Sequence, residues 1–115
     1  MSRTSERVQV VKSAANEAGR QLAKGAGDFY GLIGFNAKAS AQYILCFDSA
    51  TTPADGAVPD FMVIAQATST FALGFGELGY PFTNGLYICN SSTQQTKTIG
   101  SADCWFNAQL TKRNN

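Results

Sequence analysis

From Phe29 to Leu110 the apolar residues recur at every second position, and that period limits the fold more than any other feature of the sequence. Side chains of a strand alternate between two faces, whereas a helix places neighbours three or four residues apart. Phe29, Gly31, Ile33 and Phe35 fall on one face, with Tyr30 and Leu32 on the other. Tyr43, Leu45 and Phe47 alternate with Ile44 and Cys46, which describes a strand buried on both sides. Phe61, Val63 and Ala65 oppose Met62 and Ile64, and Phe71, Leu73 and Phe75 line one face of the next run. Leu86 and Ile88 alternate with Tyr87 and Cys89, and Cys104, Phe106, Ala108 and Leu110 with Trp105, Asn107 and Gln109. Turn signals separate these runs and no convincing helix intervenes. The expected fold is all-β: an antiparallel β-sandwich, jelly-roll or immunoglobulin-like, of about six to eight short strands.

Between the runs, Asn36–Ser40 reads as a turn, and Asp48–Pro59, broken by Pro53, Asp55-Gly56 and Pro59, as a connection crossing between sheets. The stretch Gly76–Cys89 reads as a structural corner. Gly76, Gly79 and Gly85 supply conformational freedom, Pro81 fixes its own φ, and Tyr80 and Phe82 are apolar anchors beside it. Gly74-Phe-Gly76-Glu-Leu-Gly79 matches the dinucleotide fingerprint literally, but the fingerprint needs a helix starting inside it, and Tyr80-Pro81 follows instead. Turn geometry is the better account.

The charge distribution sets the first 26 residues apart. Residues 1–24 carry Arg3, Arg7, Lys12, Arg20 and Lys24 against Glu6 and Glu17, whereas residues 25–110 are net acidic. Every aromatic residue lies between Phe29 and Phe106, so the N-terminal segment has little to build a core with. Val8, Val10 and Val11 suit a short strand. A helix over Ser13–Lys24, capped by Ser13, would hold Leu22 as its only large apolar residue and be interrupted by Gly19. The expectation is an extended basic arm over residues 1–26 and a sandwich domain over 27–115. In the arm, Arg3, Arg7, Val8, Val10, Lys12, Arg20 and Lys24 are the candidate partner-binding residues. A basic arm without aromatics on an acidic body suits an acidic protein surface, or a neighbouring copy, better than nucleic acid.

Few chemistries remain open. The chain has no histidine, so neither a Ser-His-Asp nor a Cys-His site can be assembled, and an enzyme is not expected. Cys46, Cys89 and Cys104 are odd in number, follow no zinc spacing and read as buried thiols. Asp48, Asp55 and Asp60 lack the dense spacing of a calcium loop and read as turn caps. No catalytic, cofactor-binding or metal-binding residue is expected. Asn90-Ser-Ser92 matches a glycosylation acceptor, but the N-terminus carries no apolar signal-peptide core, and no run is long enough to span a membrane. Trp105 with the polar loop Asn90–Lys97 suits a glycan-binding module.

Three segments together carry a resemblance. Tyr43-Ile-Leu-Cys-Phe-Asp48, the loop holding Ala50-Thr-Thr-Pro53 and Ala57-Val-Pro59, and Gly79-Tyr-Pro-Phe-Thr-Asn-Gly85-Leu-Tyr-Ile resemble a pattern in small virion-associated β-sandwich proteins of tailed bacteriophages. Gly27-Asp-Phe-Tyr-Gly31 stands where that pattern begins, and the match covers about residues 27–110. The resemblance implies a virion structural protein made in the host cytoplasm and displayed in many copies. A capsid decoration (cement) protein that binds and stabilises the shell is the leading expectation; a tail, collar or head-fibre accessory is the alternative, and a glycan-binding adhesion module ranks behind both. The implied partner is the major capsid or another virion protein. Only 15% of residues are charged against about 25% in an average domain, which suits a homo-oligomer, a trimer among the options.

Overall fold

The computed structural model describes residues 8–112. Nine strands form among the described residues: β1 (Gln9–Lys12), β2 (Gly19–Lys24), β3 (Gly27–Asn36), β4 (Gln42–Phe47), β5 (Phe61–Ala65), β6 (Ser69–Gly74), β7 (Tyr80–Phe82), β8 (Gly85–Ser91) and β9 (Cys104–Lys112). They make two antiparallel sheets. Sheet A runs β1-β9-β3-β6, with β7 also paired to β3, and sheet B runs β2-β8-β4-β5. Their inner faces enclose one core that includes Phe29, Leu32, Ile44, Cys46, Phe71, Phe82, Leu86, Ile88, Phe106 and Leu110. The architecture is the expected sandwich.

Three differences from the sequence reading matter. The first lies at Tyr30, where the register of β3 against β9 slips by one: Phe29 faces Leu110 and Gly31 faces Gln109. A bulge of one residue flips the parity of everything after it. Phe29 and Leu32 therefore both enter the core, while Ile33 and Phe35 turn to the outer face of the sheet. On its other side β3 meets β6 as far as Gly31↔Gly74 and β7 from Phe29↔Tyr80, so β6 and β7 are one edge strand interrupted opposite Tyr30. The Tyr30 carbonyl accepts the Phe75 N–H at 3.0 Å, which begins the detour.

The second concerns the N-terminal segment. Its described part is extended, but it is built into both sheets. β1 adds to the edge of sheet A against β9, and β2 to the edge of sheet B against β8. Residues 13–18 cross between them: Ser13 N–H donates to Phe106 O at 3.0 Å, and Glu17 N–H to Cys104 O at 2.8 Å. A second bulge, between Gln21 and Ala23, directs both Leu22 and Ala23 into the core. The segment is without aromatics because a strand that only completes an edge needs few large side chains. Residues 8–26 thus close one side of the sandwich, and a boundary at 26/27 does not separate them from it.

The long connection Asp48–Pro59 also behaves differently. β4 and β5 pair directly within sheet B, so the loop does not cross between sheets. It folds back over the outer face of its own sheet. There Leu45, Phe47, Tyr87 and Cys89 form a second buried cluster, with Tyr43 and Ala57 packed against it.

Two outcomes follow from the parity change and the closing edge. Leu32→Ala should cost about 2–5 kcal/mol in urea unfolding, and Ile33→Thr should stay within about 0.5 kcal/mol; equal losses would contradict the bulge. Deleting residues 1–26 should abolish cooperative thermal unfolding, because burial of Leu22 alone contributes about 2–3 kcal/mol of a total near 5–15 kcal/mol. A cooperative melt for the truncated chain would show that the edge is dispensable.

Candidate functional site

The two outer faces of the sandwich are not alike. That of sheet B is covered over β4 and β8 by two loops that hold each other, while on β5 Met62 and Ile64, opposite Leu45 and Tyr43, stay 37% and 44% exposed. Gly56 N–H donates to Lys97 O and Lys97 N–H to Ala57 O, both at 2.8 Å. The Lys97 side chain is buried beneath them; its ammonium donates to Pro53 O, lies 3.9 Å from Asp55 and sits 5.9 Å from the centre of the Tyr87 ring. A buried ammonium is tolerated only with such partners. Asp55 also accepts the Ile99 N–H at 3.3 Å.

Sheet A has no such cover among the described residues. Opposed positions in antiparallel strands point to the same side. The registers therefore lay out the outer face in rows: Asp28 with Thr111 and Pro81; Val10 with Gln109 and Gly31; Lys12 with Asn107, Ile33 and Ala72; Trp105 with Phe35 and Thr70. Val10 is 60% exposed, Ile33 46% and Phe35 36%. Trp105 lies directly opposite Phe35 and is half-buried. Among the residues of these rows Lys12 and Asp28 carry the charges, one of each sign. The face is largely apolar, with the amides of Asn107 and Gln109 among its apolar side chains, the character of a protein-contact surface.

The candidate partner-binding residues divide over the molecule. Val8, Val10 and Lys12 belong to this face or its margin, and all three are exposed. Arg20 lies on β2 in the other sheet and is engaged: its Nε and Nη2 donate to the Glu17 carboxylate at 2.7 and 2.6 Å. The hydrogen bonds from Arg20 hold the Glu17 carboxyl below its usual range and, reciprocally, raise the Arg20 guanidinium. Lys24 ends β2 opposite Gly85 and is exposed. Arg3 and Arg7 lie outside the described residues. The five described residues do not make one patch; Val8, Val10 and Lys12 join Ile33, Phe35, Ala72 and Trp105, of which the expected parity of β3 had concealed Ile33 and Phe35.

The corner residues are structural. Phe75 packs against Phe29 and Phe61, with centroids 5.1 and 4.8 Å apart, and Tyr80 meets Phe61 edge-on at 4.4 Å. Gly76 and Gly79 have φ of 78° and 72°, and a Cβ at Gly79 would lie 2.9 Å from the Tyr30 ring. Pro81 is exposed on the edge strand, where no ladder donor is lost, and the Phe82 ring covers Gly27 in the core. A Cβ at Gly85 would come within 2.6 Å of Ser49 O and 2.7 Å of Ala23 O, so the backbones meet there. What fixes the corner is Asp48. Its carboxylate accepts the N–H groups of Thr83, Asn84 and Gly85, with Oδ1 at 3.1, 2.8 and 3.3 Å respectively. Asp60 in turn accepts the Asp48 N–H at 2.6 Å. The aspartates cap turns, as expected, but across 12 to 44 residues of chain rather than locally.

The cysteines are free thiols and all buried. Burial raises each, Cys89 to about 11 and Cys104 to about 12, with Cys46 higher still. Neutral, enclosed thiols of this kind are poor nucleophiles and poor ligands. No group of three or more Cys, Asp or Glu among the described residues is placed to hold a metal ion, and those residues contain no helix long and apolar enough to cross a membrane. A missed element is Asn36. Fully buried, its Nδ2 donates to Ser40, Ala65 and Gln66 carbonyls at 3.1 Å each, and its Oδ1 accepts the Lys38 N–H. It ties the β3–β4 turn to the β5–β6 turn. No protein-family model, curated protein or solved structure matches the chain.

Removing the Asp48 carboxylate strands three backbone amides. Asp48→Ala should lower unfolding stability by about 1–3 kcal/mol, the cost of charge-assisted bonds at a partly exposed site. A change below about 0.5 kcal/mol, the range of ordinary surface substitutions, would remove Asp48 from this role.

Proposed function

We propose that the protein is a bacteriophage virion structural protein, a capsid decoration subunit that binds the shell through the outer face of sheet A. The observation that carries this reading is the asymmetry between a sheet whose strands β4 and β8 are dressed by its own loops, with Met62 and Ile64 exposed on β5, and a sheet whose strands β1, β9 and β3 are left bare with Val10, Ile33, Phe35 and the aromatic Trp105 on them. A two-layered domain of this kind suits attachment from one side and exposure on the other. Aromatic residues amid uncharged polar ones are what interface centres favour. Lys12, the one cation of those rows and accompanied by Asp28, does not provide the row of cations that phosphate backbones require, so the fitting partner is a protein. Val8, Val10 and Lys12 retain the partner-binding role expected of them. Arg20, paired to Glu17, is given none. The resemblance of residues 27–110 to virion-associated sandwiches points the same way.

The test uses particles purified from an infected host. Mass spectrometry should find the protein at many copies per virion, and gold-labelled antibody should decorate heads. Label on tails or collars would replace the decoration role by the accessory one, and absence from particles would contradict both. Phe35→Asp should leave the melting temperature within a few degrees of wild type while preventing attachment. A charged Phe35 variant that still attached fully would show that this face is not the contact.

A further inference from the structure

The side of the sandwich away from that face carries a depression of about 450 Å³, lined by Tyr43, Ser92, Thr93, Gln94, Gln95 and Thr96. We infer that it is a binding site for a neutral saccharide, with the Tyr43 ring as stacking surface and the Gln94 and Gln95 carboxamides as hydrogen-bonding groups. The volume is in the range of small-ligand sites. Its chemistry is specific in combination: one phenol ring, two amides, three aliphatic hydroxyls and no charge.

The loop is held in shape by its own hydroxyls. Ser91 Oγ accepts the N–H groups of Thr93 and Thr98 at 3.2 and 3.0 Å and donates to Thr93 O at 2.7 Å. Thr93 Oγ1 donates to Thr96 O at 2.6 Å and lies 2.9 Å from Thr98 Oγ1. Ser92 N–H donates to Thr98 O at 3.0 Å, closing the loop. These bonds engage Ser91 and Thr93 internally. The exposed side chains of Gln94 and Gln95 make no bond to the described residues and offer donors and acceptors to a ligand. A loop ordered beforehand loses little entropy on binding, which weak ligands require.

The lining also selects against other ligand classes. The nearest cation in sequence, Lys97, is buried with its ammonium directed to Pro53 O and Asp55, so an anion has no partner in the depression. The absence of carboxylates leaves a cation equally unmatched. One ring gives too little apolar area for a lipid or an aromatic ligand, but suits the C–H face of a sugar ring whose hydroxyls meet amides. Trp105, which the sequence paired with this loop, lies on the other sheet and does not line the site. Tyr43 instead takes the aromatic role. It shares the outer face of sheet B with Leu45 and Phe47 and is half-exposed at its margin. The site does not depend on how sheet A is used, though a subunit attached by sheet A would present it outward.

The full chain, multimerised to raise avidity, would be applied to an array of neutral oligosaccharides ending in glucose, galactose, mannose or N-acetylhexosamines, together with sialylated and sulfated controls. Binding to a subset of the neutral glycans is expected, falling at least tenfold in the Gln94→Ala/Gln95→Ala double variant at an unchanged melting temperature. Tyr43→Ala should also lose binding, but Tyr43 packs on a buried cluster, so the glutamine variant is the decisive one. No signal on neutral glycans, signal only on the anionic controls, or signal indifferent to the two glutamines would each overturn the assignment.

Discussion

One extra residue at Tyr30 governs how this sandwich presents itself. Strand side chains alternate with a period of two, so a single bulge reverses inside and outside for the rest of the strand. Because of it Phe29 and Leu32 both reach the core, and Ile33 and Phe35 go out to the surface with Trp105. The same residue interrupts the other side of β3. Phe75 bonds the Tyr30 carbonyl, the chain leaves the sheet through Gly76 and Gly79, and it returns as β7 with Gly79 against the Tyr30 ring. Bulges often re-aim side chains beside functional surfaces, and here the re-aimed Ile33 and Phe35 are left uncovered.

On the opposite sheet, polar contacts achieve what apolar contacts achieve in the core. Asp48 gathers the three amides that open β8, and β8 is buried along its whole length. Lys97 and Asp55 join the two long loops above Tyr87. Each of these bonds spans dozens of residues of chain, so the loops are fixed covers. The second buried cluster, around Leu45, Phe47, Tyr87 and Cys89, exists because of them. These two loops therefore cover β4 and β8, and leave Met62 and Ile64 of β5 exposed.

Much of this was legible in the sequence, for identifiable reasons. β4 and β9 alternate without interruption, and both lie in the sheets with the expected faces; Ile44 and Cys46 point into the main core and Leu45 and Phe47 into the second. The glycines of the corner were readable because positive φ and close backbone approach have few other solutions. The misreadings share one cause, the dependence of local pattern on a distant partner. Nothing near Tyr30 signals a bulge, which arises from pairing with β9. Leu22-Ala23 lacks alternation for the same reason, so the second bulge disguised an edge strand as an arm. Asp48 caps a turn 35 residues away, and no sequence spacing encodes that. The candidate surface was accordingly half visible: Val8, Val10 and Lys12 were marked, while Ile33 and Phe35 were assigned with Phe29 to the same side.

The functional account rests on orientation: a covered sheet facing solvent and a bare sheet facing a virion shell. Its most direct test is a cryo-electron microscopy reconstruction of particles carrying the protein, at a resolution that separates the two sheets. The account predicts Val10, Ile33, Phe35 and Trp105 against the particle, with Tyr43 and the Ser92–Thr96 loop outward. A reconstruction in which the 48–60 and 92–100 loops contact the particle while Ile33, Phe35 and Trp105 face solvent would contradict it.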